Sequence, residues 1–181
     1  IYAEAGIELH IERRVEVEPP LDNPLVFGPG NMNAIDAYFS RVFDALETPG
    51  EPESRFVPVV VVPCLQTTTT KGATTPLRGF SPRIPGGLRS GTEANAVFIS
   101  AGQCNVAHTF ASGDELGLLL AHELGHYLGL YHADTSDGEH LLDAPSPLGA
   151  FDIMNRNVES LDPDRAALSA AAQVVVRNHP A

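Results

Sequence analysis

The chain has 181 residues, of which 43% are hydrophobic, and its formal net charge is −12. This length supports a proper hydrophobic core, so we expect a single domain over residues 1–181. The acidic balance argues against a nucleic-acid partner, because phosphate backbones bind basic surfaces. No apolar run approaches the roughly 18 residues that span a bilayer, so we expect a soluble protein without a membrane span.

The first half of the chain predicts strands, one helix and a long loop. Residues 6–18 alternate apolar and polar side chains, which indicates a half-exposed strand. Residues 31–46 place their apolar side chains on one face of a helix. The β-branched run over residues 56–64 predicts a buried strand bounded by prolines. Residues 66–92 are rich in Thr, Pro and Gly, which is typical of a long irregular loop.

The second half predicts a short strand followed by two helices. Residues 95–100 read NAVFIS and predict the strand. Ser112 and Glu115 have the spacing of a capping box, so we expect a helix over about 113–128. An Asp-Pro pair opens a final helix over about 162–177. This order of elements predicts a mixed α/β (α+β) fold.

Cys64 and Cys104 are the two cysteines of the chain, and neither has a neighbour at metal-ligand spacing. One disulfide bond in an exported protein is the simpler interpretation, and two free buried thiols are the alternative. Only the distance between the two side chains can decide the pairing. The chain begins at Ile1 instead of Met, so we expect a processed protein, with any signal peptide or pro-segment upstream.

The segment HELGHYLGLYH runs from His122 to His132. Because His122 and His126 lie four residues apart, on a helix they project side by side and can share one zinc ion. The Glu123 carboxylate can reach a water molecule at that ion. His132 can join only where the helix stops, and Gly129 suits the left-handed turn that would stop it. Three nitrogen ligands with one open position predict a catalytic zinc site, and satisfied surface histidines are the alternative.

This segment resembles the zinc motif HExxHxxGxxH of the metzincin metalloproteases. The resemblance implies a metzincin-like catalytic domain with a mixed twisted sheet, an active-site helix, an upper subdomain over residues 1–129 and a lower one over 130–181 that ends in a helix. Met154, which follows His132 by 22 residues, matches the family's methionine turn, and the resemblance implies that it forms an apolar floor below the ligand rings. The strand at residues 95–100 is similar to the family's edge strand, which pairs with extended substrate.

Two further features concern the residues between the zinc motif and Met154. The segment over residues 137–145 is similar to that of pappalysin-like metzincins, although Ala144 stands where threonine is usual, so we favour that branch. Four acidic residues offer the oxygen ligands that calcium prefers, namely Asp134, Asp137, Glu139 and Asp143. Their spacing matches no EF-hand loop, and a solvated acidic loop is the alternative. Asp134 could instead hold a ligand histidine by a hydrogen bond.

The motif and its resemblance predict a secreted zinc-dependent endopeptidase. Zinc would lower the pKa of a water molecule, and Glu123 would act as the general base. We expect a polypeptide substrate and a monomeric enzyme. Two other classes stay open: a catalytically silent binding module stabilised by zinc, and a zinc hydrolase that acts on a small amide.

Overall fold

A computed structural model of the protein describes most of the chain, and its fold is mixed α/β. Within the described ranges, no helix combines the length and the apolar character needed to cross a bilayer. Apart from the side chain of Glu159, the described residues are 1–17, 24–28, 40–42, 44, 56–87, 96–102, 104, 111–133 and 146–179.

Six strands form two three-stranded sheets, and both sheets are mixed. In the first sheet, β3 lies between β1, to which it is parallel, and β4, to which it is antiparallel. In the second sheet, β6 lies between β2, to which it is parallel, and β5, to which it is antiparallel. The strands are β1 (Leu25–Phe27), β2 (Val59–Val62), β3 (Leu65–Thr68), β4 (Thr74–Leu77), β5 (Gly79–Phe80) and β6 (Val97–Ser100).

The sheet is therefore mixed, as predicted, but it is divided in two. The chain passes from one sheet to the other at Pro63 and Cys64, which separate β2 from β3, and at Arg78, which separates β4 from β5. Proline has no N–H to donate to a ladder, which accounts for the first interruption.

Strand β6 is a central strand, so the prediction of an edge strand at residues 95–100 is wrong. All four of its residues are buried, and β2 and β5 pair with it on either side. Val97, Phe98 and Ile99 are consecutive apolar residues, and a strand that is apolar on both faces is most stable when it is covered on both. Strand β5 pairs with β6 and forms one edge of the second sheet.

The prediction of a long irregular loop over residues 66–92 is also wrong, because this range contains most of β3 and all of β4 and β5. Thr67 lies opposite Thr75, and Thr68 lies opposite Thr74. Threonine is β-branched and fits a pleated surface, so a threonine-rich segment can form a hairpin as readily as a loop.

Two strand predictions in the first third of the chain need correction. The described part of the strand predicted at residues 6–18 joins no ladder, and Ile11 is 77% exposed. An alternating pattern needs a neighbouring strand to bond with, which local sequence does not supply. The strand predicted as buried is β2, and one of its faces is exposed, since Val61 is 56% exposed while Val60 and Val62 are buried.

The first long helix, α1 (Gly113–Tyr127), begins as predicted. The Ser112 hydroxyl accepts the Glu115 N–H, and the Glu115 carboxylate accepts the Ser112 N–H, which completes the capping box. Of the helix predicted over residues 31–46, residues 40–42 and 44 are helical, and the others lie outside the described residues.

The last helix, α2 (Ala170–Arg177), begins later than predicted. Its N-cap is Ser169, whose hydroxyl accepts the N–H of Ala172. Asp162 caps only a single turn, in which its carboxylate accepts the N–H of Asp164. Three short 3₁₀ helices complete the described secondary structure: Tyr2–Ala5, Gly149–Phe151 and Val158–Ser160.

Cys64 and Cys104 form a disulfide bond, as the simpler interpretation predicted. Their Cα atoms are 4.9 Å apart, which lies in the ordinary range for a disulfide. The bond is weakly compatible with an extracellular protein, because disulfides persist mainly in oxidising compartments.

The core divides into two clusters of buried side chains. One cluster surrounds α1 and includes Tyr2, Leu119, Leu124, Ile153 and Met154. The other lies along the sheets and includes the Phe27 ring, whose centroid is 4.8 Å from that of Phe80 and 5.2 Å from that of Phe98. Helix α1 is thus buried along the turn that carries the histidine motif.

Candidate metal centre

Helix α1 ends within the histidine motif, as predicted. Gly129 has a φ of +102°, a left-handed conformation that residues with a Cβ atom rarely adopt. Its N–H donates to the carbonyl of His126, and the N–H of Leu130 donates to the carbonyl of Gly125. These two bonds form a Schellman motif, which turns the chain back along the helix toward His132.

The structure brings together the three predicted histidines. Their ligand nitrogens all lie within 4.8 Å of one another. The ring centroids are 4.7 Å apart for His122 and His126, 4.7 Å for His126 and His132, and 5.2 Å for His122 and His132. His122 and His126 are buried, and His132 is partly exposed, so the group has one side toward solvent.

Backbone carbonyls orient two of the three rings. The Nδ1 atom of His122 lies 2.7 Å from the carbonyl of Ile153, and the Nδ1 atom of His126 lies 2.8 Å from the carbonyl of Leu130. A carbonyl can only accept, so both Nδ1 atoms carry the proton, and both Nε2 atoms are the unprotonated nitrogens that can serve as metal ligands. This is how proteins usually fix a metal-binding imidazole.

The spacing of one pair of ligand nitrogens fits a tetrahedral ion. The Nε2 atoms of His126 and His132 are 3.3 Å apart. Two nitrogens at 2.0–2.1 Å from a tetrahedral zinc ion are separated by about 3.3–3.4 Å. Burial and the neighbouring imidazoles of His122 and His132 lower the pKa of His126 to about 3, so this ring is neutral at ordinary pH, as a ligand must be. The group could hold a metal ion.

Glu123 follows the first histidine and is buried. Burial raises the pKa of its carboxyl group to about 8, and the nearby Ser81 hydroxyl opposes part of this rise. Strand β5 covers the side chain, since a Cβ atom added to Gly79 would lie 2.5 Å from the Cγ of Glu123. The backbone of β5 therefore packs directly against this carboxylic acid.

Met154 lies against the turn of α1 that carries His122 and His126. A Cβ atom added to Gly125 would overlap its Sδ atom and lie 3.2 Å from its Cε atom. The carboxylate of the buried Asp152 accepts the Met154 N–H. The Met154 carbonyl accepts the N–H of Ala133, next to His132. The turn that contains Met154 is thus bonded to the segment that carries His132, and its Ile153 carbonyl orients the His122 ring.

Three residues at the site escaped the sequence reasoning. The Tyr2 hydroxyl donates to the carbonyl of Ala121 at 2.5 Å, and burial, followed by the nearby Glu123, raises its pKa. Ser81 donates to the backbone carbonyl of Glu123. Gly79 covers the side chain of Glu123. Tyr2 and Ser81 are 119 and 42 residues distant in sequence from their partners, so no local pattern could have indicated them.

The four acidic residues considered for calcium, Asp134, Asp137, Glu139 and Asp143, lie outside the described residues, as does the segment over residues 137–145 that is similar to pappalysin-like enzymes. Within the described part of the chain, the three histidines form the one group suited to a metal ion.

No model of a known protein family matches the chain, and no curated protein matches it either. The site is thus defined by its own geometry: a mixed α/β protein with a three-histidine group that could hold a metal ion.

Proposed function

We propose that the protein is a zinc-dependent endopeptidase with a metzincin-like catalytic domain. The observation that carries this proposal is the convergence of three imidazoles, two of them held by backbone carbonyls, next to a buried carboxylic acid. The motif resemblance and the packing of Met154 against Gly125 support the family assignment. We expect a secreted enzyme, which agrees with the disulfide bond.

Zinc is the metal that suits this donor set best. Three imidazole nitrogens, one pair of which has tetrahedral spacing, match its usual ligands in catalytic sites, whereas calcium and magnesium prefer oxygen ligands. His122, His126 and His132 would hold the ion, and the partly exposed side at His132 leaves a fourth position for a water molecule or a substrate oxygen. When bound, zinc supplies a Lewis acid and lowers the pKa of a water molecule toward neutrality.

Glu123 acts as the general base in this proposal. Its carboxylate accepts a proton from the attacking water and later transfers it to the leaving amine. Burial raises the pKa of the carboxyl group to about 8, and a nearby cation would lower it again toward the operating pH. This range suits a group that must both accept and release a proton.

The substrate would lie along the edge of the second sheet. Strand β5 pairs with β6 on one side, and among the described residues no strand pairs with its other side. Because Gly79 in β5 contacts Glu123, an extended peptide that adds to this edge would pass beside the general base. Main-chain hydrogen bonds to a sheet edge are a common way to bind polypeptides. We therefore assign to β5 the role that the sequence had assigned to β6.

Replacement of the general base tests the proposal. Glu123→Ala should retain stoichiometric zinc and lose about 10²- to 10⁴-fold in peptidase rate, which is the usual contribution of a positioned base. Cleavage is measured by mass spectrometry with a peptide library, with and without a chelator, and metal content by atomic emission.

The matched control is Asp114→Asn, which removes an exposed carboxylate from the first turn of the same helix and should leave the rate unchanged. If the wild-type protein binds zinc and cleaves no peptide, the proposal is wrong. Cleavage of small amides alone would then indicate an amidohydrolase, and a lack of any hydrolysis would indicate a silent zinc-binding module.

A further inference from the structure

The segment over residues 81–87, which we call the strap, follows strand β5 and is hydrogen-bonded to the end of helix α1. Three hydrogen bonds join it to the helix. The Ser81 hydroxyl donates to the Glu123 carbonyl at 2.7 Å, the Gly86 N–H donates to the Tyr127 carbonyl at 2.7 Å, and the Tyr127 hydroxyl donates to the Gly87 carbonyl at 2.5 Å. The strap thus contacts the helix at two residues that lie one turn apart.

These contacts fall beside the metal ligands on the helix surface. Glu123 and Tyr127 are four residues apart and share one stripe of α1, while His122 and His126 form the adjacent stripe. Successive residues of an α-helix are rotated by about 100°. A bond network on the first stripe therefore fixes the rotation of the helix about its own axis, and with it the direction of the Glu123 side chain relative to the histidines.

Strand β5 approaches α1 closely at Glu123, and the strap approaches it closely at Tyr127. A Cβ atom added to Gly79 would lie 2.5 Å from the Cγ of Glu123, and one added to Gly86 would lie 2.8 Å from the Cγ of Tyr127. The backbone of these two segments therefore lies directly against the side chains of Glu123 and Tyr127. The Glu123 carbonyl that accepts the Ser81 bond lies inside a regular helix. The helix therefore does not require the Ser81 bond in order to form.

We propose that Ser81 is a positioning residue, which holds the turn of α1 that carries Glu123 in register with β5. This inference rests on the proposed function. The substrate edge and the general base belong to different elements. The strap follows β5 directly in the chain and is hydrogen-bonded to α1 at Glu123 and Tyr127, so it links the two elements. Without the Ser81 bond, the zinc ligands remain, but Glu123 and the edge lose their common alignment.

Kinetics of the zinc-loaded protein provide the first test. Ser81→Ala should lower kcat by about 10- to 100-fold, because misplacement of a catalytic group by 1 Å can cost about 100-fold. KM and zinc content should stay within about twofold of the wild type. Ser81→Thr keeps the hydroxyl and should restore kcat.

The matched control is Ser160→Ala, which removes another serine hydroxyl that donates to a backbone carbonyl, that of Asn157, and it should leave kcat unchanged. An unchanged kcat in Ser81→Ala, or a loss that Ser81→Thr does not restore, would overturn the inference.

Crystal structures of the zinc-loaded wild type and of Ser81→Ala provide a test that does not depend on activity. We expect the Glu123 carboxylate to move by more than about 0.5 Å relative to the three histidines, which exceeds the tolerance of a catalytic site. Coincident positions would refute the role of Ser81 even if the wild type cleaves peptides. Conversely, a displaced carboxylate in a protein that cleaves no peptide would support the positioning role and refute the proposed function. Should Ser81→Ala fail to fold, Tyr127→Phe removes the hydrogen bond to Gly87 and should have the same effect.

Discussion

Gly125 lies in the turn of α1 that carries His122 and His126, where its lack of a side chain lets Met154 pack directly against the helix backbone. This contact joins the two motifs that the sequence analysis related only by resemblance. Met154 is 2% exposed, and a Cβ atom on Gly125 would overlap its sulfur. The pair explains why a glycine, which is a poor helix former, occupies the interior of a buried helix.

We expect Gly125→Ala to destabilise the protein. Overpacking against Met154 should cost about 1–3 kcal/mol, and the better helix propensity of alanine should return about 1 kcal/mol or less. The free energy of unfolding is measured by denaturant titration. The matched control is Gly117→Ala in the same helix, where an added Cβ atom meets nothing within 4 Å. That variant should be more stable by about 0.5–1 kcal/mol. Equal effects of the two variants would contradict the packing argument.

At the scale of elements, the turn after α1 decides whether the third histidine reaches the other two. The Schellman motif at Gly129 and Leu130 reverses the chain immediately after the helix. The same reversal places the Leu130 carbonyl against Nδ1 of His126. The helix end therefore both orients the His126 ring and brings His132 beside it.

Gly129→Ala tests this coupling between helix end and metal site. Because φ is +102° at this position, we expect a loss of about 1–2 kcal/mol in the free energy of unfolding. Zinc affinity should fall by about 10-fold or more, as when other groups that support ligands are altered. Isothermal titration measures the affinity.

The matched control for that variant is Gly72→Ala, at φ +80° in the turn between β3 and β4. It should suffer a similar loss of stability and retain its zinc affinity. A reduced affinity in both variants would show that general destabilisation, and not the helix end, weakens the metal site.

At the scale of the whole molecule, long-range bonds tie the site to distant parts of the chain. The disulfide closes a loop of 40 residues that contains β3 to β6 and the strap. The Arg177 side chain in α2 donates to the Ala5 carbonyl near the start of the chain, and Tyr2 donates to α1. Both ends of the chain therefore support the helix that carries the histidines.

We expect the double variant Cys64→Ser, Cys104→Ser to lose about 4 kcal/mol in the free energy of unfolding, which is the loop-closure entropy for about 40 residues. Denaturant titration of the variant and of the wild type measures this loss. A loss below about 1 kcal/mol would mean that the unfolded chain already keeps these residues close together.

Local sequence was sufficient for the parts of the site that depend on helical geometry. The spacing of His122 and His126, the capping box at Ser112 and the break at Gly129 are set by hydrogen bonds between residues at most five apart in the chain. The neighbours of these groups depend on distant segments. The Ile153 carbonyl that orients His122, and the Gly79 backbone that covers Glu123, are brought there only by folding.

The strand errors have the same origin. Residues 6–18 alternate like a strand and join no ladder in their described part, whereas the threonine-rich residues after Cys64 form a hairpin. A ladder requires two segments, and the pattern of one segment does not specify its partner or its place in a sheet. By itself, the sequence determined that three imidazoles and a carboxylic acid lie close together in the chain, and that the helix must end between His126 and His132. Only the tertiary structure decided which strand lies beside the carboxylic acid, because sheet order results from long-range pairing and burial.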